Sequence, residues 1–367
     1  MHMADALISP AVAGTMYGLS AIAAGYSIKK VHDEDFSKKI PLMGIMGAFV
    51  FATQMINFTI PGTGSSGHLC GGMLLSALLG PYAGFLTMIG VLLIQCLFFA
   101  DGGLLALGCN VWNMAFYGCF IGSLLWKAIM NKNCKQWKII VSSILGCVLT
   151  LQLGAFSVTL ETLASGITEL PFGIFVGTML PIHLAIGAVE GLITAAVLCF
   201  VFAARPEFLW GIGLDQVEDV TEIESIDSTS DVAPKKVKKG FLSSRNTLIV
   251  LACLALVIGG GLSLLASSYP DGLEWTLEKI TGNTELEPTE KALSAAEGAG
   301  KIQDATSFLP DYTFKGVDEE SSAAIAGTSV SGIVGGLFVA ILCAGLAFLA
   351  RAIRHSGKKK AVAKTNS

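Results

Sequence analysis

Runs of apolar residues long enough to cross a hydrocarbon layer as helices, about 20 residues each, recur along this 367-residue chain and constrain its fold more than any other feature. Candidate spans cover Ile8–Ile28, Pro41–Phe58, Leu69–Leu79, Tyr82–Phe99, Leu105–Trp126, Ile139–Leu160, Phe172–Ala203, Thr247–Ala266 and Ala323–Ala350. The third is the weakest, because only Gly80-Pro81 separates it from the fourth, and a short or re-entrant segment is the alternative there. The expected fold is an all-α polytopic membrane protein with about nine transmembrane helices. Only 14% of residues are charged, against about 25% in soluble domains, and the first 204 residues hold just eight basic and eight acidic ones. That balance excludes a cytosolic enzyme and a secreted disulfide scaffold, and a net charge of -4 excludes a nucleic-acid partner.

Orientation follows from charge, since cytoplasmic segments collect Lys and Arg. With the N-terminus outside, all but four of the 24 Lys and Arg residues fall on inner segments. The exceptions, Lys279, Lys291, Lys301 and Lys315, share one long outer loop. Dropping any single helix would move whole basic clusters to the wrong side.

Two modules emerge. Residues 1–204 form a seven-helix bundle with short loops, in which Gly14 with Gly18, Gly118 with Gly122, and Gly187 with Gly191 have the small-xxx-small spacing that lets helices approach closely. Residues 205–245 read as a polar, disordered cytoplasmic linker, acidic first and Lys-rich after. Residues 246–355 form a two-helix hairpin around an acidic external loop, 267–322, which contains PDGLEW at Pro270–Trp275, and 356–367 is a basic cytoplasmic tail. No internal repeat suggests an inverted-repeat transporter. Most of the nine cysteines stand singly in apolar runs and read as buried free thiols. Met1–Leu7 lacks a basic region and carries Asp5, so no cleaved leader is expected.

Five histidines are present. His32 and His355 sit in charged segments and are most simply solvated. His2 is different: the amine of Met1, the amide nitrogen of His2 and its imidazole can close two adjacent chelate rings around one ion. Such an all-nitrogen, near-planar set suits nickel(II) or copper(II), binds cobalt(II) more weakly, and would not hold magnesium or calcium. The plainer reading is a stray polar residue at a frayed end. His68 follows the glycine-rich PGTGSSG (Pro61–Gly67) on the same outer side, so it can supply a fourth nitrogen, or it caps and packs a re-entrant loop. Cys70 stands two residues on as a competing soft ligand. His183 and Glu190 lie seven apart in PIHLAIGAVEGLIT, on one helical face inside a span. There they serve either as gating or supporting groups around the metal or as an interhelical hydrogen-bonded pair. Gln95, Asp101, Asn110 and Asn113 place polar groups near the outer ends of the fourth and fifth spans, and Asp101 is a candidate to orient a ligating imidazole. No G-x-x-x-x-G-K-[ST] occurs, since GAGK at Gly298–Lys301 has alanine at 295, so the chain is not expected to hydrolyse ATP. HExxH is also missing.

Four segments, MHMADALISP, PGTGSSGHLCGGMLLSALLGP, FFADGGLLALGCNVWNMA and HLAIGAVEGLIT, resemble the M component, the substrate-binding membrane subunit, of cobalt and nickel energy-coupling-factor transporters. The hairpin from Thr247 with PDGLEW resembles the small N component of the same systems, fused behind the linker. The resemblance implies a multi-pass protein of a prokaryotic plasma membrane with no intrinsic cofactor. Its cargo, Ni2+ or Co2+, would be held by the Met1 amine, the amide and imidazole nitrogens of His2, and His68. It also implies partners encoded elsewhere, a membrane scaffold of T or Q type and a cytoplasmic ATPase of A or O type. The competing readings are an ATP-independent metal channel or symporter and, from another class, a membrane-embedded enzyme using His183 and Glu190 as acid and base.

Overall fold

The structure, a computed structural model, describes residues 1–33, 40–131, 133–212, 241–317 and 321–365. Most of the expected linker, residues 213–240, lies outside the described residues, as do the last two positions of the tail. Five helices are long and apolar enough to cross a membrane by themselves: Pro10–Val31, Pro81–Phe99, Gln136–Ser165, Phe172–Ala204 and Ala323–Gly345. They belong to α1 (Pro10–Asp33), α4 (Pro81–Phe99), α7 (Gln136–Ser165), α8 (Phe172–Ala204) and α12 (Ser322–Thr365). Two shorter apolar helices, α2 (Ile40–Gln54) and α9 (Ser244–Gly260), add two passages. Another is a single rod, in which α5 (Leu107–Asn110) runs through a π-helical stretch (Val111–Ile121) into α6 (Gly122–Ile129).

The remaining passage is the one whose length is marginal in the sequence. Helix α3 (Gly72–Leu79) has eight residues, about 12 Å, and is preceded by irregular backbone at 68–71 rather than by helix. Its inner end meets Trp210, whose amide donates to the Ala77 carbonyl at 2.7 Å. Its outer end starts beside the glycine-rich loop. Irregular backbone at that depth has to be covered by protein, and every residue from Ser65 to Pro81 is buried.

Three features depart from the helical reading of the sequence. Residues 58–67 form an antiparallel pair, β1 (Phe58–Ile60) and β2 (Ser65–Gly67), with Ile60 opposite Ser65. The external loop contains helices α10 (Gly272–Thr281) and α11 (Glu290–Thr306). A capping box starts α10, with Asp271 accepting from Leu273 and Glu274 while Glu274 reaches back to the Asp271 amide; α11 is an Ala-rich run. The expected tail continues as helix to Thr365, because its Ala and Lys residues are helix formers.

Close glycine contacts join the helices, though not at all the expected pairs. Gly72 and Gly118 meet backbone to backbone, Gly187 and Gly191 press on α7, and Gly122 meets the Met73 sulfur, whereas Gly14 and Gly18 of α1 face open space. Helices α9 and α12 cross at Gly259 and Gly332 and pack on α2, where Gly44 and Gly47 face α12. The hairpin is thus an eighth and ninth helix of one assembly, with its external loop lying over the outer end of the bundle.

Candidate metal centre

The N-terminal segment is drawn into the outer end of the bundle. Met1 is 4% exposed and Met3 fully buried. Asn110, at the start of the π-helical rod, acts as a backbone surrogate: its Oδ1 accepts from the Met3 amide at 2.7 Å and its Nδ2 donates to the Met3 carbonyl at 3.2 Å. The α4–α5 loop completes the cradle. Gly103 donates its amide to the Met3 carbonyl at 2.9 Å, and a Cβ at Gly103 would lie 1.8 Å from Asp5 Oδ1, so only glycine fits there. Asp5 accepts from the Ala106 amide at 3.0 Å.

These restraints bring three of the expected groups together. The Met1 amine lies 3.1 Å from His68 Nε2, and the His2 ring stacks on the His68 ring with centroids 5.2 Å apart and planes 19° from parallel. Asp101 stands 3.1 Å from His2 Nδ1, while His2 Nε2 is buried without a partner. Among the described residues, no three His, Cys, Asp or Glu side chains cluster closely enough to hold a metal. Beside the two imidazoles stands the Met1 amine, a main-chain nitrogen.

The external loop supplies groups that sequence reading missed. Asp271, the cap of α10, pairs with the Met1 amine and lies 3.9 Å from His68 Nε2. Burial by itself would lower the amine's pKa, but the adjacent Asp271 carboxylate outweighs it and holds the amine above its ordinary 8.0. Burial likewise works against the Asp271 charge, yet the amine and His68 keep its carboxyl below the usual 3.8. For His2, burial wins over Asp101 and the imidazole falls below 6.5. Gly272 allows the loop to seat: a Cβ there would lie 2.8 Å from the His183 ring. Tyr312 stacks on Phe99 at 5.0 Å, receives a hydrogen bond from Gln95 Nε2 at 3.3 Å and donates to Asp101 Oδ2 at 2.5 Å. The loop thereby reaches His2 through Asp101. Gln303 of α11 donates to the carbonyls of Cys96 and Gly102, and Ser66 of β2 donates its amide to the Pro270 carbonyl at 2.8 Å. The D-x-x-E of the capping box is the one local signal that could have flagged Asp271; Tyr312 and Gln303 carry none.

The other expected residues lie deeper. His183 and Glu190 do not bond each other. His183 Nδ1 meets the Met179 carbonyl of its own helix at 2.8 Å, and Glu190 Oε1 accepts from the Gly71 amide at 2.9 Å, so the interhelical pair is replaced by two contacts to main chain. Asn113 donates to Glu161 Oε2 at 2.7 Å, a buried carboxylate that sequence reading passed over. Outside this cluster of nitrogens, the loop and the bundle border a cavity of about 620 Å³ lined by His2, Asp5, Asp101, Asp271, Glu274, Glu285, Glu287 and Glu297. It is an acidic vestibule that reaches His2, and burial beside Asp271 raises Glu274 to about 7.

Comparison with known proteins agrees with this architecture. Residues 2–208 match the family CbiM, described as the cobalt uptake substrate-specific transmembrane region, and residues 245–352 match the PDGLE domain. A provisionally named fused nickel transport protein, NikMN, of Archaeoglobus fulgidus is 34% identical over 346 residues, covering 93% of this chain and 96% of the relative. LarMN of Lactiplantibacillus plantarum, assigned likewise as a fused nickel transport protein, is 32% identical over 57% of this chain and 67% of its own. The cobalt transport protein CbiM of Sorangium cellulosum is 32% identical over 52% of this chain and 84% of its own. A crystal structure of a truncated transition metal transporter, 29% identical, covers 55% of this chain and 98% of its own with a TM-score of 0.49.

Proposed function

The chain belongs to the CbiM family, and from that premise we propose that it is the cargo-capturing subunit of an ATP-driven importer of nickel or cobalt ions. It is a multi-pass membrane protein of nickel and cobalt transport rather than an enzyme. The finer reading assigns the Met1 amine, the His2 amide and imidazole nitrogens, and His68 Nε2 as the four nitrogens around the ion. The observation that carries it is a terminal amine, 4% exposed, lying 3.1 Å from one imidazole that stacks on another. Frayed termini do not bury themselves this way.

On this reading the acidic vestibule raises the local concentration of divalent cations, and the PDGLE segment closes over the captured ion. ATP is spent by partners. Support for a membrane partner comes from α1, where Ala11, Gly14, Gly18, Ala21 and Gly25 form an exposed stripe of small residues, the texture that close helix packing in lipid uses.

The test is calorimetry on the purified full chain. Adding one residue before Met1 moves the amine away from the chelate and should abolish tight Ni2+ and Co2+ binding while the helical content is retained. Unchanged affinity in the extended protein would refute the assignment. Uptake into vesicles lacking any ATPase subunit would refute the ATP-driven part alone.

A further inference from the structure

The route inward from the capture cluster is lined by ligating groups that the capture site leaves unused. Two cavities of about 10 Å³ lie beneath it, each with room for roughly one ion-sized sphere. The upper is lined by Met1, His68, Cys70, His183 and Asp271. The lower is bounded by Cys70, Met73, Asn113, Thr150 and Glu190. Cys70 and Leu151 line both, so the cavities share a wall.

Three side chains facing these cavities are almost fully buried and carry an atom with no protein partner. Glu190 is 2% exposed and its Oε2 is unpaired, because Oε1 alone meets Gly71. Asn113 is 2% exposed, and since its amide nitrogen is committed to Glu161, its unpaired Oδ1 remains. His183 is 1% exposed; with Nδ1 donating to the Met179 carbonyl, the lone pair sits on the unpaired Nε2, the tautomer of a metal-ready imidazole. Leaving such groups unsatisfied at membrane depth is costly, which marks them as a pathway.

Resting on the capture reading, we propose a second and weaker divalent-metal site below the first, formed by Glu190 Oε2, Asn113 Oδ1 and the Cys70 sulfur, with His183 Nε2 handing the ion over. The donor set explains the direction of travel. Four nitrogens hold nickel or cobalt firmly above, while a mixed oxygen and sulfur set holds them less tightly below. A conducting path needs sites that accept an ion and let it leave. His183 and Glu190, seven residues apart on one face of α8, are then successive rungs about 10 Å apart.

The test uses the full chain extended by one residue before Met1, titrated separately with Co2+ and Cd2+. The expected result is loss of tight binding, leaving one weak event. Glu190→Gln, whose amide oxygen still accepts from Gly71, should weaken that event about tenfold or more. Cys70→Ser should lower the ratio of Cd2+ to Co2+ affinity by about tenfold, because it removes the soft donor; a purely structural thiol would leave that ratio alone. A missing weak event, one indifferent to Glu190→Gln, or an unchanged ratio in Cys70→Ser overturns the inner site and leaves the capture reading standing. Tight binding that survives the extension overturns both.

Discussion

The bundle and the external loop meet the same cluster of nitrogens from opposite sides, and they are held by different forces. On the bundle side, the N-terminal segment is fixed by buried main-chain bonds to Asn110 and Gly103 and by the fit of Asp5 against glycine. On the loop side, contact runs through charge: Asp271 to the amine, and Tyr312 through Asp101 to His2. The difference teaches a division of labour. A buried amide clamp sets whether the nitrogens are assembled at all, while exposed or partly exposed charge sets how protons and ions compete for them.

Substitutions on the two sides should therefore differ in kind as well as size. The largest effect is expected for His68→Ala, which removes a proposed ligand outright and should weaken Ni2+ binding by about a hundredfold or more, roughly 3 kcal/mol, by calorimetry. Next comes Asn110→Ala, which touches no metal but leaves the Met3 amide unpaired in a buried place. A loss of about tenfold, with amide exchange of residues 3 to 5 accelerated, would show the clamp at work. On the loop side, Asp271→Asn should keep tight binding yet shift its pH dependence. The amine must lose its proton to ligate, and Asp271 holds that proton, so binding in the native chain strengthens as pH rises toward an amine pKa above 8.0. Without the carboxylate the onset of binding should move to lower pH, as read from titrations at several pH values. The smallest effect is expected from changing Glu285, Glu287 and Glu297 to Gln. Association should slow by roughly threefold at low salt, and by less at physiological ionic strength, in stopped-flow measurements. Affinity losses from the vestibule changes as large as those from Asn110→Ala would break the division.

How much of this was legible in the sequence depends on how local the physics is. Spans were readable because hydrocarbon demands unbroken apolar length, and α3 was flagged for falling short of it. That His2 and His68 lie together was readable, because a charge count put the N-terminus and the glycine-rich turn on the same side. Tyr312 and Gln303 were not readable, since each meets its partner across 200 or more residues and nothing near them in the chain anticipates that meeting; the capping box at Asp271 signals a helix start but not its distant partner. The two helices of the external loop were missed for another reason. A loop scored by polarity looks unstructured, although Asp271 and Glu274 spelled a capping box. Of the two readings open for His183 and Glu190, a mutual pair is not what forms, because a shared helical face does not decide between a side-chain partner and nearby main chain.

Asp271 has one further consequence. One of its oxygens starts helix α10 while the other faces the amine, so under the proposed capture by that amine, folding of the outer segment and occupancy by cargo draw on a single coupling free energy. Reciprocity then applies: whatever factor an arriving ion applies to the population of the docked segment, docking applies to the ion. A partner that pries the segment loose would change affinity by that same factor without touching a ligand.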